Sequence, residues 1–285
     1  MRNEVFYLSD DKRVSLTAYL YEKSPVLWNL KDEWEPARRP AVIVCPGGAY
    51  SFLADREGEP VALSFFQQGF DAFVLRYSLG DDSAFPGPLE EISRAVWLIR
   101  SHAGQWRIDP DQITVCGFSA GGHLCTMLGT QWNTPGLCER LGIPEGGNKP
   151  NAMVLCYATT GEYSGGGKDD TRATKTKGKV ACGFGAMMAP PLVPQAVTIN
   201  YVTDQTAPAF IWQAREDFLN VKENMHFAEK LYDCGVPYEL HIFGNGSHGL
   251  SLCQPQTSYY FHDYPANVKE WFPLCVGWLK SLYNF

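Results

Sequence analysis

The string Gly117-Phe118-Ser119-Ala120-Gly121 carries the plainest chemical content in this chain. It has the form G-x-S-x-G. The apolar run Ile113-Thr114-Val115-Cys116 leads into it, and a helical pattern over 122–128 leads out. A serine on such a strand-to-helix turn is held in a strained backbone conformation, which lifts its Oγ above a sheet. The flanking glycines let neighbouring backbone pass close to the turn. The chemistry on offer is attack on a carbonyl carbon, once a base has removed the hydroxyl proton. A glycine-rich loop with an incidental serine is the bland alternative, and the strand-in, helix-out context weighs against it.

A serine nucleophile needs a histidine base and a carboxylate to orient that base, in the chain order serine, acid, histidine. Of the six histidines, His102 precedes the serine. His123 lies on the helix leaving the turn, where local packing or hydrogen bonding is its expected part. His226 falls in a helix, His241 in a strand and His262 in an aromatic-rich loop. His248 stands in Gly244-Asn245-Gly246-Ser247-His248-Gly249, a loop directly after the last strand. The acid is expected after the preceding strand, where Arg215-Glu216-Asp217 follows Ala209-Phe210-Ile211-Trp212-Gln213. Asp217 is preferred because it falls on the turn before a helix beginning near Val221; Glu216 is the alternative. Donors for a tetrahedral oxyanion are expected from the Ala120 N–H and from Gly48 and Ala49 in Pro46-Gly47-Gly48-Ala49-Tyr50. A phosphate-cradling loop is the rival for that turn, but neither G-x-x-x-x-G-K nor G-x-G-x-x-G occurs there.

These residues need a rigid frame. Val14, Leu16, Ala18 and Leu20 alternate as in half-buried antiparallel strands. Ala41-Val42-Ile43-Val44-Cys45, Ala72-Phe73-Val74-Leu75 and Ala152-Met153-Val154-Leu155-Cys156 are continuous apolar runs that suit central parallel strands. The region 238–243 reads as a further strand. Between these lie helical patterns: Val61, Ala62, Phe65 and Phe66; Leu89, Ile92, Val96 and Ile99; Val221, Met225, Ala228 and Leu231; and a last face from Val268 to Leu282. Alternating strands and helices predict right-handed βαβ units in one mostly parallel sheet flanked by helices, hence a single α/β domain over 1–285. The stretch 159–202 breaks the rhythm with Gly165-Gly166-Gly167, a basic run over 172–179 and Pro190-Pro191, and reads either as a short lid-like insert or cap or as a surface loop with no role.

Composition narrows the rest. The chain has 285 residues, 45% of them hydrophobic and 19% charged, which supports a sizeable core and argues against disorder. A net charge of −7 argues against a nucleic-acid partner, whose phosphates need a cationic face. No apolar run is long enough for a membrane span, and the first residues lack a signal-peptide pattern. The nine cysteines are odd in number and scattered, without C-x-x-C, so reduced thiols and a cytoplasmic location are expected, and no zinc pattern is present.

With these residues in hand, the chain resembles the esterase/lipase-type α/β-hydrolases that include bacterial acetyl-xylan esterases and related carbohydrate acetylesterases. Cys45-Pro46-Gly47-Gly48-Ala49-Tyr50 resembles the oxyanion turn of that family. Arg56-Glu57-Gly58-Glu59-Pro60-Val61-Ala62 and Phe73-Val74-Leu75-Arg76-Tyr77-Ser78 are similar to its next two blocks. Gly117 to Leu124, Glu216-Asp217 with Glu223-Asn224, and His241 to Leu250 are similar to its nucleophile, acid and histidine blocks. The turn reads Pro-Gly-Gly-Ala where relatives often carry His-Gly-Gly-Gly, and Asn220-Val221 stands where they commonly show Val-Pro.

The resemblance implies an α/β-hydrolase fold and a serine carboxylesterase that removes short acyl groups, acetyl foremost, from sugars or oligosaccharides such as xylan fragments. Ser119, Asp217 and His248 are its expected triad, Gly48, Ala49 and Ala120 its oxyanion donors, with no metal or organic cofactor. Tyr50, Tyr77 and Trp212 lie at or after strand ends and are expected to line and narrow the acyl pocket if their rings face the serine, with flat faces and polar tips that suit sugar rings; ordinary core packing with an open pocket is the alternative. A small-peptide serine peptidase and a non-catalytic binding protein of the same fold are the alternatives. The expected partner is an acylated small molecule or oligosaccharide, with self-association left open.

Overall fold

The computed structural model describes residues 1–22, 38–162, 187, 192–258 and 265–285. Most of the 159–202 insert lies outside the described residues, as do Cys182 and His262.

Eight strands form one sheet. β1 (Arg2–Tyr7) and β2 (Ser15–Leu20) are the expected antiparallel pair. β3 (Arg39–Cys45), α1 (Glu59–Gln67), β4 (Asp71–Arg76), α2 (Gly87–Ser101) and the short α3 (Ala103–Trp106) follow. β5 (Ile108–Phe118) then leads into α4 (Ala120–Gln131), the short α5 (Leu137–Leu141) and β6 (Ala152–Cys156). β7 (Ala209–Ala214), α6 (Lys222–Asp233), β8 (Tyr238–Phe243) and α7 (Trp271–Tyr283) complete the chain. The order across the sheet is β1-β2-β4-β3-β5-β6-β7-β8, parallel from β4 onward.

The period of two along each central strand divides the apolar residues into two cores. Ile43, Val115, Leu155 and Ile211 face one side, under α2, α4 and α6. Val42, Val44, Cys116, Val154 and Trp212 face the other, under α1 and α7. This two-sided burial is why these strands read as continuous apolar runs. Each fully buried large aliphatic or aromatic side chain contributes about 1.5–3 kcal/mol. The helix after β7 keeps Ala228 and Leu231 of its expected face inward but not Met225. Glu223, Asn224, Phe227, Ala228 and Leu231 turn inward and Met225 is exposed, because the two polar residues bond to the segment after β6.

Between β3 and β5 the chain reverses its direction of travel across the sheet: β4 lies on one side of β3, β5 on the other. Open α/β sheets bind ligands at the carboxyl ends of strands at such a point. Cys45 pairs with Gly117 there, so the turn over 46–50 and Ser119 emerge side by side.

α4 is buried along its whole length, including His123. The His123 Nε2–H donates to the Ala196 carbonyl (2.7 Å), and Tyr50 O–H donates to its Nδ1 (2.9 Å). Its partners are 73 residues away in each direction, so the expectation of a local role is corrected. Among the described residues, the eight cysteines are all free thiols. No described helix is long and apolar enough to cross a membrane.

A Cβ at Gly121 would lie 2.6 Å from the Pro46 carbonyl oxygen, whereas one at Gly277, exposed in the middle of α7, would meet nothing. Gly121→Ala is expected to destabilise by at least about 1–3 kcal/mol, and Gly277→Ala to stabilise by about 0.5–1 kcal/mol. Urea titrations of both variants check this, and equal effects contradict it. Burial also lowers the His123 pKa to about 4, from the ordinary value of about 6.5. The unfolded chain therefore takes up a proton that the folded chain refuses. The stability is whole above about pH 6.5 and falls as pH drops toward 4, by about 3 kcal/mol at the lower limit. His123→Gln should lose less stability than the wild type between pH 7 and 4.5, by about 2 kcal/mol or more; identical losses contradict the assignment.

Candidate active site

Ser119 sits between β5 and α4 with φ 52° and ψ −115°, a left-handed conformation that costs a non-glycine residue about 1–3 kcal/mol. The surrounding backbone fixes it: Ser119 N–H donates to the Cys156 carbonyl (3.0 Å), and its own carbonyl accepts from His123 N–H (3.0 Å). The turn can form only because the Gly121 backbone lies against Cys45 and Pro46. Ser119 remains partly exposed at the sheet's carboxyl edge.

The loop after β8 brings His248 to it. Ser119 Oγ–H donates to His248 Nε2 (2.9 Å), and His248 Nδ1–H donates to the Asp217 carboxylate (2.9 and 3.0 Å). A carboxylate beside Nδ1 assigns the proton to that nitrogen and leaves Nε2 as the acceptor. Asp217 is buried on the turn after β7, and its Oδ1 also accepts from Leu219 N–H (2.8 Å). Glu216 points to solvent beside Arg215. Of the two acids, Asp217 is the one the fold brings to the histidine. Among the described histidines, His102 packs on Trp106, His226 meets Glu162 and His241 meets Glu239, so none competes for the serine.

The turn after β3 has three consecutive residues with positive φ: Gly48 (133°), Ala49 (55°) and Tyr50 (56°). Its carbonyls are occupied, since Gly48 O accepts from Ser51 and Phe52 N–H, and Tyr50 O accepts from Gly80 N–H. Gly48 is confined to glycine because Phe52 backbone lies where a Cβ would go. Among the described residues, the N–H groups of Gly48, Ala49 and Ala120 meet no protein acceptor. A Cβ at Gly47 would stand 3.1 Å from the Ser119 Cβ, so the turn borders the serine directly. Ser119, His248, Asp217 and the open amides of Gly48, Ala49 and Ala120 thus converge at one strand-end crevice, an arrangement that could carry out acyl transfer.

The three expected pocket aromatics are corrected. Tyr50, Tyr77 and Trp212 are buried and offer no ring face to a ligand. Tyr50 is held by His123, and Tyr77 O–H donates to the Pro46 carbonyl (2.5 Å). Burial pushes both phenols well above their usual range, so they stay protonated donors. Trp212 stacks on Trp271 (centroids 5.2 Å apart) because its position in β7 faces the core under α7. Their part is to support the turn and the sheet from below.

Several residues near the site carried no individual signal in the sequence. Phe218, 53% exposed, lies with its ring centroid 4.5 Å from that of His248. Tyr157, at the end of β6, packs edge-on against the same imidazole (4.9 Å). Arg56 and Glu57 reach both loops of the site: Glu57 accepts from Gly47 N–H and Tyr157 O–H, and Arg56 donates to the Gly249 carbonyl. The block containing Arg56 and Glu57 was visible as a string, but an acidic residue on a short turn does not announce burial.

Comparison with known proteins identifies the family and the fold. Residues 31–231 match the BD-FAE family. The chain is 27% identical over 281 residues to an acetylxylan esterase of Xylanibacter ruminicola, covering 96% of this chain and 50% of that protein. The chain spans half or less of the length of the first curated relatives it matches. Among solved structures, an alpha/beta hydrolase enzyme from a Medee basin deep-sea metagenome library is 30% identical, with a TM-score of 0.75, covering 100% of this chain and 99% of that one. An acetyl ester-xyloside bifunctional hydrolase from Caldicellulosiruptor lactoaceticus is 32% identical, with a TM-score of 0.70, covering 96% and 91%. With its mostly parallel sheet and matched span, this chain belongs to the BD-FAE family and has the α/β-hydrolase fold.

Proposed function

We propose that the chain is a serine carboxylesterase that removes short acyl groups, acetyl foremost, from sugars or oligosaccharides such as xylan fragments. The observation that carries this reading is the unbroken line Ser119–His248–Asp217, set beside the open amides of Gly48, Ala49 and Ala120. The sugar and the acetyl group are supported by the relatives, named an acetylxylan esterase and an acetyl ester-xyloside hydrolase.

In this reading Ser119 Oγ attacks the acetyl carbonyl carbon while His248 Nε2 takes its proton. Asp217 keeps the imidazole in the required tautomer and balances the charge it gains. The three amides stabilise the oxyanion, and each such donor is worth roughly 10²- to 10³-fold in rate. Collapse of the tetrahedral species breaks the bond to the sugar oxygen, which receives the proton from His248. Water, deprotonated by the same histidine, then attacks the acyl carbon; the bond to Ser119 Oγ breaks, that oxygen takes the proton back from His248, and acetate is released. Ser119→Ala is expected to lower kcat by roughly 10⁴- to 10⁶-fold with folding intact. On p-nitrophenyl acetate, butyrate and octanoate, kcat/KM should fall with length, each unaccommodated methylene costing about 1–3 kcal/mol. Wild-type turnover by Ser119→Ala removes the serine mechanism; octanoate equal to acetate removes the short-acyl preference; faster cleavage of an aminoacyl amide favours a peptidase.

The leaving alcohol must stand beside His248 to receive its proton, and Phe218 is the exposed ring packed there. A half-exposed phenyl face suits the apolar C–H face of a sugar. Phe218→Ala should therefore raise KM for acetylated xylo-oligosaccharides by about tenfold, a loss of about 1.4 kcal/mol, with a smaller change for p-nitrophenyl acetate. Equal effects on both substrates contradict a contact with the sugar.

A further inference from the structure

Glu57 is buried at 2% exposure in a short turn ahead of α1, and it takes no part in the bond-making steps above. A carboxyl group taken out of water is costly unless it is fully bonded. Its bonds run in two directions. Toward the oxyanion turn, Oε2 accepts from Gly47 N–H (2.8 Å), which fixes the peptide immediately before the Gly48 and Ala49 amides. Toward the histidine loop, Oε1 accepts from Tyr157 O–H (2.8 Å), and the Tyr157 oxygen accepts from Ser251 N–H (2.9 Å).

The adjacent Arg56 doubles the link. Its guanidinium lies 3.6 Å from Glu57 Oε1 and donates to the carbonyls of Gly249 and Thr257, while its own carbonyl accepts from Ser251 Oγ–H (2.6 Å). Gly249 directly follows His248. Burial beside Glu57 holds the Tyr157 phenol well above its usual range, so it remains a donor to the carboxylate. The two loops joined in this way follow β3 and β8, which are separated in the sheet by β5, β6 and β7. No strand pairing sets one loop against the other.

We propose that Glu57 is a positioning residue that holds the oxyanion turn and the His248 loop in one fixed relation, through Gly47 on one side and Tyr157–Ser251 and Arg56–Gly249 on the other. The donors and the base must act on one tetrahedral centre, and a displacement of about 1 Å between them costs on the order of 10²-fold in rate. Substrate binding before the reaction makes no such demand. This assignment rests on the ester-hydrolase reading above.

The test is Glu57→Gln, which keeps the shape but places an N–H donor against either Gly47 N–H or Tyr157 O–H. Turnover is measured on p-nitrophenyl acetate, per active site counted by titration with a p-nitrophenyl phosphonate, so that misfolded protein does not enter. The expected result is a fall in kcat of about 10- to 100-fold with KM within about threefold. Hydrogen exchange should rise together at 47–50 and 248–252. Tyr157→Phe, which cuts only the histidine branch, should lower kcat less, and should add little when combined with Glu57→Gln. Wild-type kcat per titrated site in Glu57→Gln, even with a lower Tm, overturns the proposal. So does exchange that rises at one loop alone. If Glu57→Gln does not fold, Tyr157→Phe decides: an unchanged kcat overturns it. A wild type inert toward all p-nitrophenyl esters removes the ester-hydrolase reading and this one with it, whereas an active wild type with an unaffected Glu57→Gln removes this one alone.

Discussion

The site depends on one close approach of backbone to backbone. Where β3 ends, the Cys45 and Pro46 carbonyls lie against Gly121, leaving no room for a side chain. That contact allows the chain to leave β5, reverse sharply at Ser119 and enter α4 without pushing the neighbouring strand away. Strain at Ser119 is tolerated because the Cys156 carbonyl and the first turn of α4 grip its backbone from both sides. The same contact sets the distance between the serine and the turn over 46–50. Both come from paired strands at the point where the sheet changes winding direction, so their relation is fixed by the ladder itself.

The remaining parts are held by polar bonds instead of strand pairing. Asp217 and His248 stand on loops after β7 and β8, toward the opposite edge of the sheet from β1. Buried carboxyl groups organise this side. Glu57 joins the turn over 46–50 to Tyr157, which in turn meets Ser251, and Glu223 receives Thr159 and Thr160 in the segment after β6. His123, kept neutral by burial, joins α4 to Tyr50 and to the segment carrying Ala196. An apolar core supplies most of the free energy of folding, but its forces are non-directional. The directional bonds around the crevice determine where each amide and ring nitrogen points.

The strands and helices were legible because burial on both sheet faces writes continuous apolar runs, and helix faces write a longer period. The serine turn, the histidine and the acid were legible because chain order and position after a strand restrict the choices: Asp217 meets His248, and Glu216 faces solvent. The pocket lining was not. Trp212 reads as the last residue of its apolar run, which suggested a role at the crevice, but β7 continues to Ala214 and the two-residue alternation puts the ring under α7. Tyr50 and Tyr77 carry polar tips that suggested a wet surface, yet both hydroxyls are used inside the protein. Met225 matched a helical face that Glu223 and Asn224 occupy, since a hydrophobic period cannot anticipate buried polar bonds. Glu57 was hidden for the same reason: its partners are brought near only by the folded sheet, Tyr157 from 100 residues away.

The central claim is that Ser119 carries the acyl group between the sugar and water. Rapid acid quenching during turnover of an acetylated xylo-oligosaccharide, followed by peptide mapping with mass spectrometry, tests it most directly. The account predicts one acetyl group, located on Ser119, appearing before steady state, and accumulating in a His248→Ala variant that has been acetylated with an activated ester. Acetate released at the full rate with Ser119 unmodified throughout, or an acetyl group mapped to another residue on the reaction's time course, would contradict it.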